Sequence, residues 1–307
     1  MKQPRIATLN PVEGRLLEKV DSFIMDLSKA IDSFITKAND DPVQIAKLCA
    51  DHRQNRNDKY EGILLRAGYP GVPVDDILTA RLNDPDYLDP RNNICLFAWP
   101  SKEVIDLISR VQRELQVLAP NIWPSPPEWL HMTVIELAHS KSPKELKVDA
   151  EKANPHAAKL TAFAAEHAAG LDRPMLSLDD TAVALTFLPV EDSRYTYLHL
   201  RRDLANICAE NGVEVASKYY NTSSHITFMR FANTSDLKSK ESLEAWIQKI
   251  QSINQWLKDE FWPKEEQGRP SPGLRWIVGV ERGIEVRKGR LWYGDGKTVD
   301  FEDIWES

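Results

Sequence analysis

The order of elements that this sequence predicts occurs twice along the chain. Each copy has an apolar strand, an amphipathic helix, a second strand and a further helix. The second strands read HMTVIEL from His131 and HITFMRF from His225, so each carries a histidine and a threonine two residues apart. Residues two apart in a strand share one face, which pairs His131 with Thr133 and His225 with Thr227. This repetition predicts an internally duplicated α+β unit.

The predicted elements fall into an N-terminal helical region and the two copies. Apolar spacing predicts a helix over 11–37, Asp41-Pro42 opens a second helix to about 66, and 77–91 reads as irregular. The first copy comprises a strand at 94–100, a helix at 101–119, the His131 strand and a helix at 143–168. The second comprises two strands in 175–189, a helix at 195–212, the His225 strand and a helix at 236–262; two or three strands follow in 274–296.

Composition limits the cellular setting and the partners. The net charge of -7 gives no general basic surface, so a nucleic acid would have to be held by local positive groups. The three cysteines lie far apart in apolar contexts, which favours buried thiols over disulfides or a zinc site. Neither a signal-peptide pattern nor an apolar run of membrane-spanning length is present. We therefore expect no membrane association and a reducing compartment, the cytoplasm, with the nucleus as the alternative.

The two His-x-Thr matches are informative because of their context. The strands agree in apolar character at the second, fourth, fifth and seventh positions, and both follow a loop that follows a helix. A single histidine in an apolar strand is more often a core residue with a satisfied hydrogen bond. The other five histidines lie on predicted helices or loops, without a matching partner or zinc-binding spacing, at positions 52, 139, 156, 167 and 199.

Two imidazoles and two hydroxyls around one point suit phosphodiester chemistry. Imidazole has a pKa near ~6.5, so one ring can accept a proton while the other donates one at neutral pH. The hydroxyls of Thr133 and Thr227 can donate hydrogen bonds to phosphoryl oxygens. His131 and His225 are therefore the candidate catalytic residues, in a reaction for which we expect neither metal nor cofactor.

These motifs resemble those of the 2H phosphoesterase superfamily, and the chain looks most like its RNA ligase/cyclic nucleotide phosphodiesterase branch as found in fungi. The resemblance rests on WLHMTVIELAHS and SSHITFMRF, with DPRNNICLFAWP and GRLWYGDG similar to the edges of that domain. It implies a bilobal fold with two antiparallel sheets around a central cleft, outer helices and one motif per sheet. It also implies a catalytic domain over 89–303, preceded by a helical extension over 1–88.

The resemblance implies a phosphoric diester hydrolase whose substrate is a small cyclic nucleotide or an RNA 3′ end. The leading hypothesis is hydrolysis of 2′,3′-cyclic phosphates, and the acidic balance favours small nucleotides over long RNA. RNA 3′-end exonuclease, 2′,5′-phosphodiesterase or ligase activity with the same four residues is a second reading. A non-catalytic nucleotide-binding protein is a third.

Three further residues lie beside the motifs. Trp129 could wall a slot for a stacked base, although packing at the strand entrance is the more common role of such a residue. Tyr220 could donate a hydrogen bond to phosphate. Arg230, an odd number of residues after His225, should point away from the site by strand alternation.

Overall fold

The computed structural model describes residues 27–216, 223–266, 269–294 and 296–298. The helices are α1 Leu27–Lys37, α2 Pro42–Leu64, α3 Asp76–Asn83, α4 Lys102–Gln116, α5 Pro143–Ala153, α6 Ala157–Glu166, α7 Tyr197–Glu210 and α8 Lys240–Phe261. The strands are β1 Asn92–Ala98, β2 Trp123–Pro124, β3 Met132–Lys141, β4 Ala169–Leu178, β5 Ala182–Pro189, β6 Ser224–Arg230, β7 Lys264–Glu266, β8 Arg269–Ser271, β9 Trp276–Val278, β10 Ile284–Gly289 and β11 Lys297–Thr298.

Two antiparallel sheets form the centre of the molecule, and helices pack around them, which confirms the predicted fold class. The first sheet has the order β11-β10-β1-β3, and the second has the order β2-β6-β5-β4-β9. Strands β7 and β8 form a separate pair. The two motif strands, β3 and β6, belong to different sheets and contact each other. The sheets therefore meet where the two motifs lie.

The chain exchanges strands between the sheets. Strand β2 lies between β1 and β3 in sequence, yet it pairs with β6 of the second sheet. After β9 has joined the second sheet, the chain returns and adds β10 and β11 to the first. Each sheet is therefore completed by residues from the other half of the chain.

Several helix ends form as the sequence predicts. The Asp41 carboxylate accepts hydrogen bonds from the backbone N–H groups of the first turn of α2, where Pro42 needs no acceptor. The Ser101 hydroxyl accepts from the Val104 backbone at the start of α4. Gly212 follows α7 with a φ of +69°, as expected of a glycine at a helix C-terminus.

Two predictions of secondary structure are wrong. Residues 77–91 are not wholly irregular, because Asp75 caps the short helix α3 by accepting a hydrogen bond from the Leu78 backbone. The predicted helix over 143–168 is two helices, separated by a 3₁₀ turn at Asn154–His156. Pro155 explains this break, since it lacks the N–H group that would continue the α-helical hydrogen bonds. Of the helix predicted over 11–37, only the part from residue 27 lies within the described residues.

The N-terminal helices pack on the sheets and share their core. Helix α1 packs against α7, and α2 packs against β4 and β5. All three cysteines are buried free thiols, as predicted. Within the ranges that the structure describes, no helix is both long and apolar enough to cross a membrane. The division into domains at residue 88 stays a prediction, and extensive packing crosses it.

Candidate active site

A cavity of about 520 Å³ opens where the two sheets meet. His131 and Thr133 line it from β3, and His225 and Thr227 line it from β6. All four side chains are half-buried. Among the described residues, neither threonine hydroxyl has a hydrogen-bond partner. The structure thus brings together the four residues that the sequence singled out, on the wall of one cavity large enough for a nucleotide-sized ligand.

Each imidazole is oriented by the residue two positions before it. The Nδ1 atom of His131 lies 2.8 Å from the Trp129 carbonyl oxygen. Because a carbonyl oxygen can only accept, Nδ1 carries the proton and Nε2 of the neutral ring is left with its lone pair. The Nδ1 atom of His225 lies 3.0 Å from the Ser223 hydroxyl. The two halves therefore hold their histidines in the same way, through Nδ1.

Phe97 fixes the plane of the His131 ring. It lies on β1 opposite Thr133, and its ring stacks on the imidazole with centroids 3.6 Å apart and planes inclined by 14°. Trp99 contacts the same imidazole edge-on at 6.4 Å. These aromatic contacts restrict rotation of the ring and remove water from it.

Burial lowers the pKa of both imidazoles to about 4. For His131 the positive charges of Arg230 and Arg287 add to the effect of burial, while the hydrogen bond to the Trp129 backbone opposes it. For His225 burial is again the largest cause, followed by the charges of Arg56 and Arg201. Both rings are thus neutral at pH 7 in the free protein, and arginine charges act on each of them, opposed at His225 by the charge of Asp179.

Arg230 lines this cavity, and the prediction that it faces away is wrong. In the pairing of β5 with β6, Val183 lies opposite Met229 and Ala184 lies opposite Thr227. Phe228 is therefore an extra residue, a β-bulge, and it shifts the alternation of faces by one position. Strand alternation alone could not reveal this shift.

The same irregularity follows the first motif. Phe97 lies opposite Thr133 and Leu96 lies opposite Ile135, so Val134 is the extra residue. Glu136 consequently lines the cavity, five residues after His131, as Arg230 does five residues after His225. Over the six positions from each histidine, the polar residues that line the cavity follow His-x-Thr-x-x-Glu in one half and His-x-Thr-x-x-Arg in the other.

Arg230 is held in place by the N-terminal region and by aromatic rings. Its guanidinium lies 3.8 Å from the Asp75 carboxylate, and the Arg230 side chain is 14% exposed. It also lies 5.5 Å from the ring centroid of Trp292 and 5.4 Å from that of Tyr293. The Tyr293 hydroxyl donates to the same Asp75 carboxylate at 2.7 Å. Burial of the guanidinium among these partners fixes its direction.

His139 lies on β3 and lines the cavity, so the prediction that it lies on a helix or loop is wrong. A second extra residue, Leu137, places it on the same face as Glu136. Its Nδ1 atom is 2.8 Å from the Glu136 carboxylate. The Glu136 carboxylate thus has a protein partner within the cavity wall.

The other predicted site residues have mixed outcomes. Trp129 lines the cavity and also packs on Trp123, with centroids 5.8 Å apart, so it has features of both readings. Tyr220 lies outside the described residues. Asp179, which the sequence places in a turn between two strands, caps the turn between β4 and β5, where its Oδ1 atom accepts from the backbone N–H groups of Thr181 and Ala182. The described residues contain no cluster of three or more His, Cys, Asp or Glu side chains arranged to bind a metal ion.

No protein-family model and no curated protein matches this chain. Among solved structures, the chain is similar to the crystal structure of TT0787 from Thermus thermophilus, with 16% sequence identity and a TM-score of 0.37. The match covers 64% of this chain and 87% of that one. A likeness this distant supports no statement about function. Any functional assignment therefore depends on the geometry of the cavity.

Proposed function

We propose that this chain is a 2H-type phosphodiesterase that hydrolyses 2′,3′-cyclic phosphates of nucleotides or RNA ends. One observation carries the proposal: two His-x-Thr strands from different sheets line a single cavity with two imidazoles and two hydroxyls. The resemblance of these motifs to the 2H phosphoesterases supports the same conclusion. We expect the reaction to proceed without a metal ion.

The charges around the cavity favour an anionic substrate. Arg230 and Arg287 are close enough to His131, and Arg56 and Arg201 close enough to His225, to lower the pKa of each ring. A phosphate group between the imidazoles would offset these positive charges. It would also accept hydrogen bonds from the two threonine hydroxyls.

In the proposed reaction, one neutral imidazole removes a proton from water through Nε2 while the water oxygen attacks phosphorus. The bond from phosphorus to one ribose oxygen breaks, and the other imidazole, in its protonated form, gives a proton to that oxygen. Thr133 and Thr227 donate hydrogen bonds to the non-bridging oxygens, and Arg230 stabilises their negative charge. The product is a phosphate monoester with a free neighbouring hydroxyl.

One imidazole has to become protonated when the substrate binds. With a pKa of about 4, neither ring is protonated in the free protein at neutral pH. A bound phosphodiester is an anion, and an anion next to an imidazole raises its pKa. We therefore expect substrate and proton to bind together, so that the acid forms only in the complex.

The test is a screen of 2′,3′-cyclic, 3′,5′-cyclic and 2′,5′-linked nucleotides with and without EDTA, in which products are identified. We expect 2′,3′-cyclic substrates to be opened equally well with the chelator. His131→Ala and His225→Ala should each lower turnover by about 10²–10⁴-fold. His156→Ala, in the turn between α5 and α6 and away from the cavity, is the matched control. Wild-type turnover in both cavity variants would refute the assignment.

The same screen separates the alternatives. Cleavage of 2′,5′-linked dinucleotides or trimming of RNA 3′ ends, with the same loss in both histidine variants, would assign one of those activities to this cavity. Nucleotide binding measured by calorimetry, without any product, would identify a binding protein.

A further inference from the structure

Helix α2, in the N-terminal extension, forms one wall of the same cavity. The helix residues that line it recur at intervals of three, one, three and four positions, which places them on one helical face; they are Cys49, His52, Arg53, Arg56 and Tyr60. Arg53 and Asn57 attach this face to β4 by donating to the carbonyl oxygens of Arg173 and Leu176 at 2.8 and 3.1 Å. The extension is therefore fixed against the site.

Arg56 lies on this wall, and the hydrogen-bonding capacity of its guanidinium is only partly used. Its Nη2 atom forms an ion pair with the Asp179 Oδ2 atom, and the Asp179 Oδ1 atom is held by the turn it caps. The Arg56 Nε–H group is buried and has no acceptor among the described residues. A buried donor without an acceptor is costly, and an anionic ligand would remove that cost.

The two halves of the molecule differ in charge at the position five residues after the histidine. Five residues after its histidine, β6 carries Arg230, whereas β3 carries Glu136, whose carboxylate binds His139. Among the cations, Arg230 has the largest effect on the pKa of His131, and Arg56 has the largest effect on the pKa of His225. Strand β3 has no arginine at the position that matches Arg230. Helix α2 thus supplies the guanidinium that acts on His225.

We propose that Arg56 is a phosphate-binding residue of this site, contributed by the N-terminal extension. Its Nε–H group donates to a non-bridging oxygen of the phosphate held between His131 and His225. This inference rests on the proposed function, because it assumes a phosphate in that position. It makes the extension part of the substrate-binding site and not merely a packing element.

Binding of inorganic phosphate, measured by calorimetry on the full chain, tests the proposal without any need for turnover. Arg56→Gln should weaken phosphate binding by roughly 10–100-fold, the loss expected for one charge-assisted hydrogen bond. Arg56→Lys should recover only part of it, because lysine keeps the charge but not the planar fork. Lys47→Gln removes a positive charge from an exposed site on the same helix and should leave binding within about twofold of wild type.

Asp179→Asn separates phosphate binding from support of the turn. The amide oxygen can still cap the turn, while a negative charge next to the site is lost. We expect phosphate binding to become stronger in this variant. If it weakens as much as in Arg56→Gln, then the ion pair between Arg56 and Asp179, and not a hydrogen bond from Arg56 to phosphate, supports binding, and the proposal is wrong.

NMR titration of the His225 ring gives a second readout. Loss of the nearby positive charge in Arg56→Gln should raise the His225 pKa, and an unchanged value would contradict the geometry.

The outcomes for Arg56 and for the proposed function are distinguishable. Loss of phosphate binding in Arg56→Gln, in a protein without activity on any cyclic phosphate, would support Arg56 and refute the proposed reaction. Activity that depends on both histidines, with unchanged phosphate binding and KM in Arg56→Gln, would support the proposed reaction and refute the role of Arg56. A wild-type protein that binds no phosphate would overturn the role of Arg56.

Discussion

The stability of the protein should depend on pH through the two imidazoles of the cavity. In the folded protein each has a pKa of about 4, compared with 6.5 for an exposed histidine. As the pH falls below 6.5, the unfolded chain binds protons that the folded chain does not, so the free energy of unfolding decreases. The loss ends once the pH is below the folded pKa. The difference between 6.5 and 4 corresponds to up to about 3 kcal/mol for each imidazole.

The contribution of His225 can be isolated by comparing wild type with His225→Gln. Urea unfolding at several values between pH 7 and pH 4 gives the difference in free energy of unfolding between the two proteins. Titrating groups common to both, such as Asp172, whose pKa is raised to about 6 by burial, cancel in that difference. We expect the advantage of wild type over the variant to shrink by up to about 3 kcal/mol across this range.

Thr227→Val is the control, since it alters the same cavity wall without removing a titratable group. Its effect on the free energy of unfolding should be nearly independent of pH. If the difference between wild type and His225→Gln is equally flat, the folded protein does not lower the pKa of this imidazole, and the account of the site is wrong.

Three further predictions follow from the site. The pH profile of kcat/KM, which reports the free enzyme, should reach its maximum well below pH 6.5, and the profile of kcat should be displaced to higher pH, because bound substrate raises the imidazole pKa. Asp75→Asn weakens the hold on Arg230 and on the Tyr293 hydroxyl; we expect KM to rise and the free energy of unfolding to fall by about 1–3 kcal/mol, measured by kinetics and urea unfolding. Gly294→Ala should destabilise the protein by at least about 1–3 kcal/mol in the same unfolding assay, since its φ of +84° disfavours alanine and the new methyl would overlap the Trp129 ring; wild-type stability would contradict that close approach.

The sequence predicts elements well where local signals act alone. Asp41-Pro42 opens α2, and the Ser101 hydroxyl caps α4, because capping depends on a few neighbouring residues. The placement of each histidine and its threonine on one strand face could also be predicted, because each His-x-Thr motif spans only three residues and needs only strand alternation. The break at Pro155 follows from a local signal as well, and the helix prediction over 143–168 overlooked it.

The rest of the site depends on contacts that periodicity cannot express. Arg230 and His139 lie on the cavity face only because a bulge inserts one residue into the pairing of a strand with its neighbour. Nothing in the local sequence marks Phe228 or Val134 as the extra residue. Arg56 reaches the cavity only because α2 packs on β4 and β5, more than 100 residues further along the chain.

The exchange of strands between the sheets has a consequence for how the duplicated halves can be separated. Cutting the chain after α6 would leave the first sheet without β10 and the second without β2. Each fragment would expose unpaired strand edges and the apolar side chains that those strands cover. Although the architecture arises from two similar units, we expect neither to be a folding-competent module, and the pair to unfold as one cooperative body.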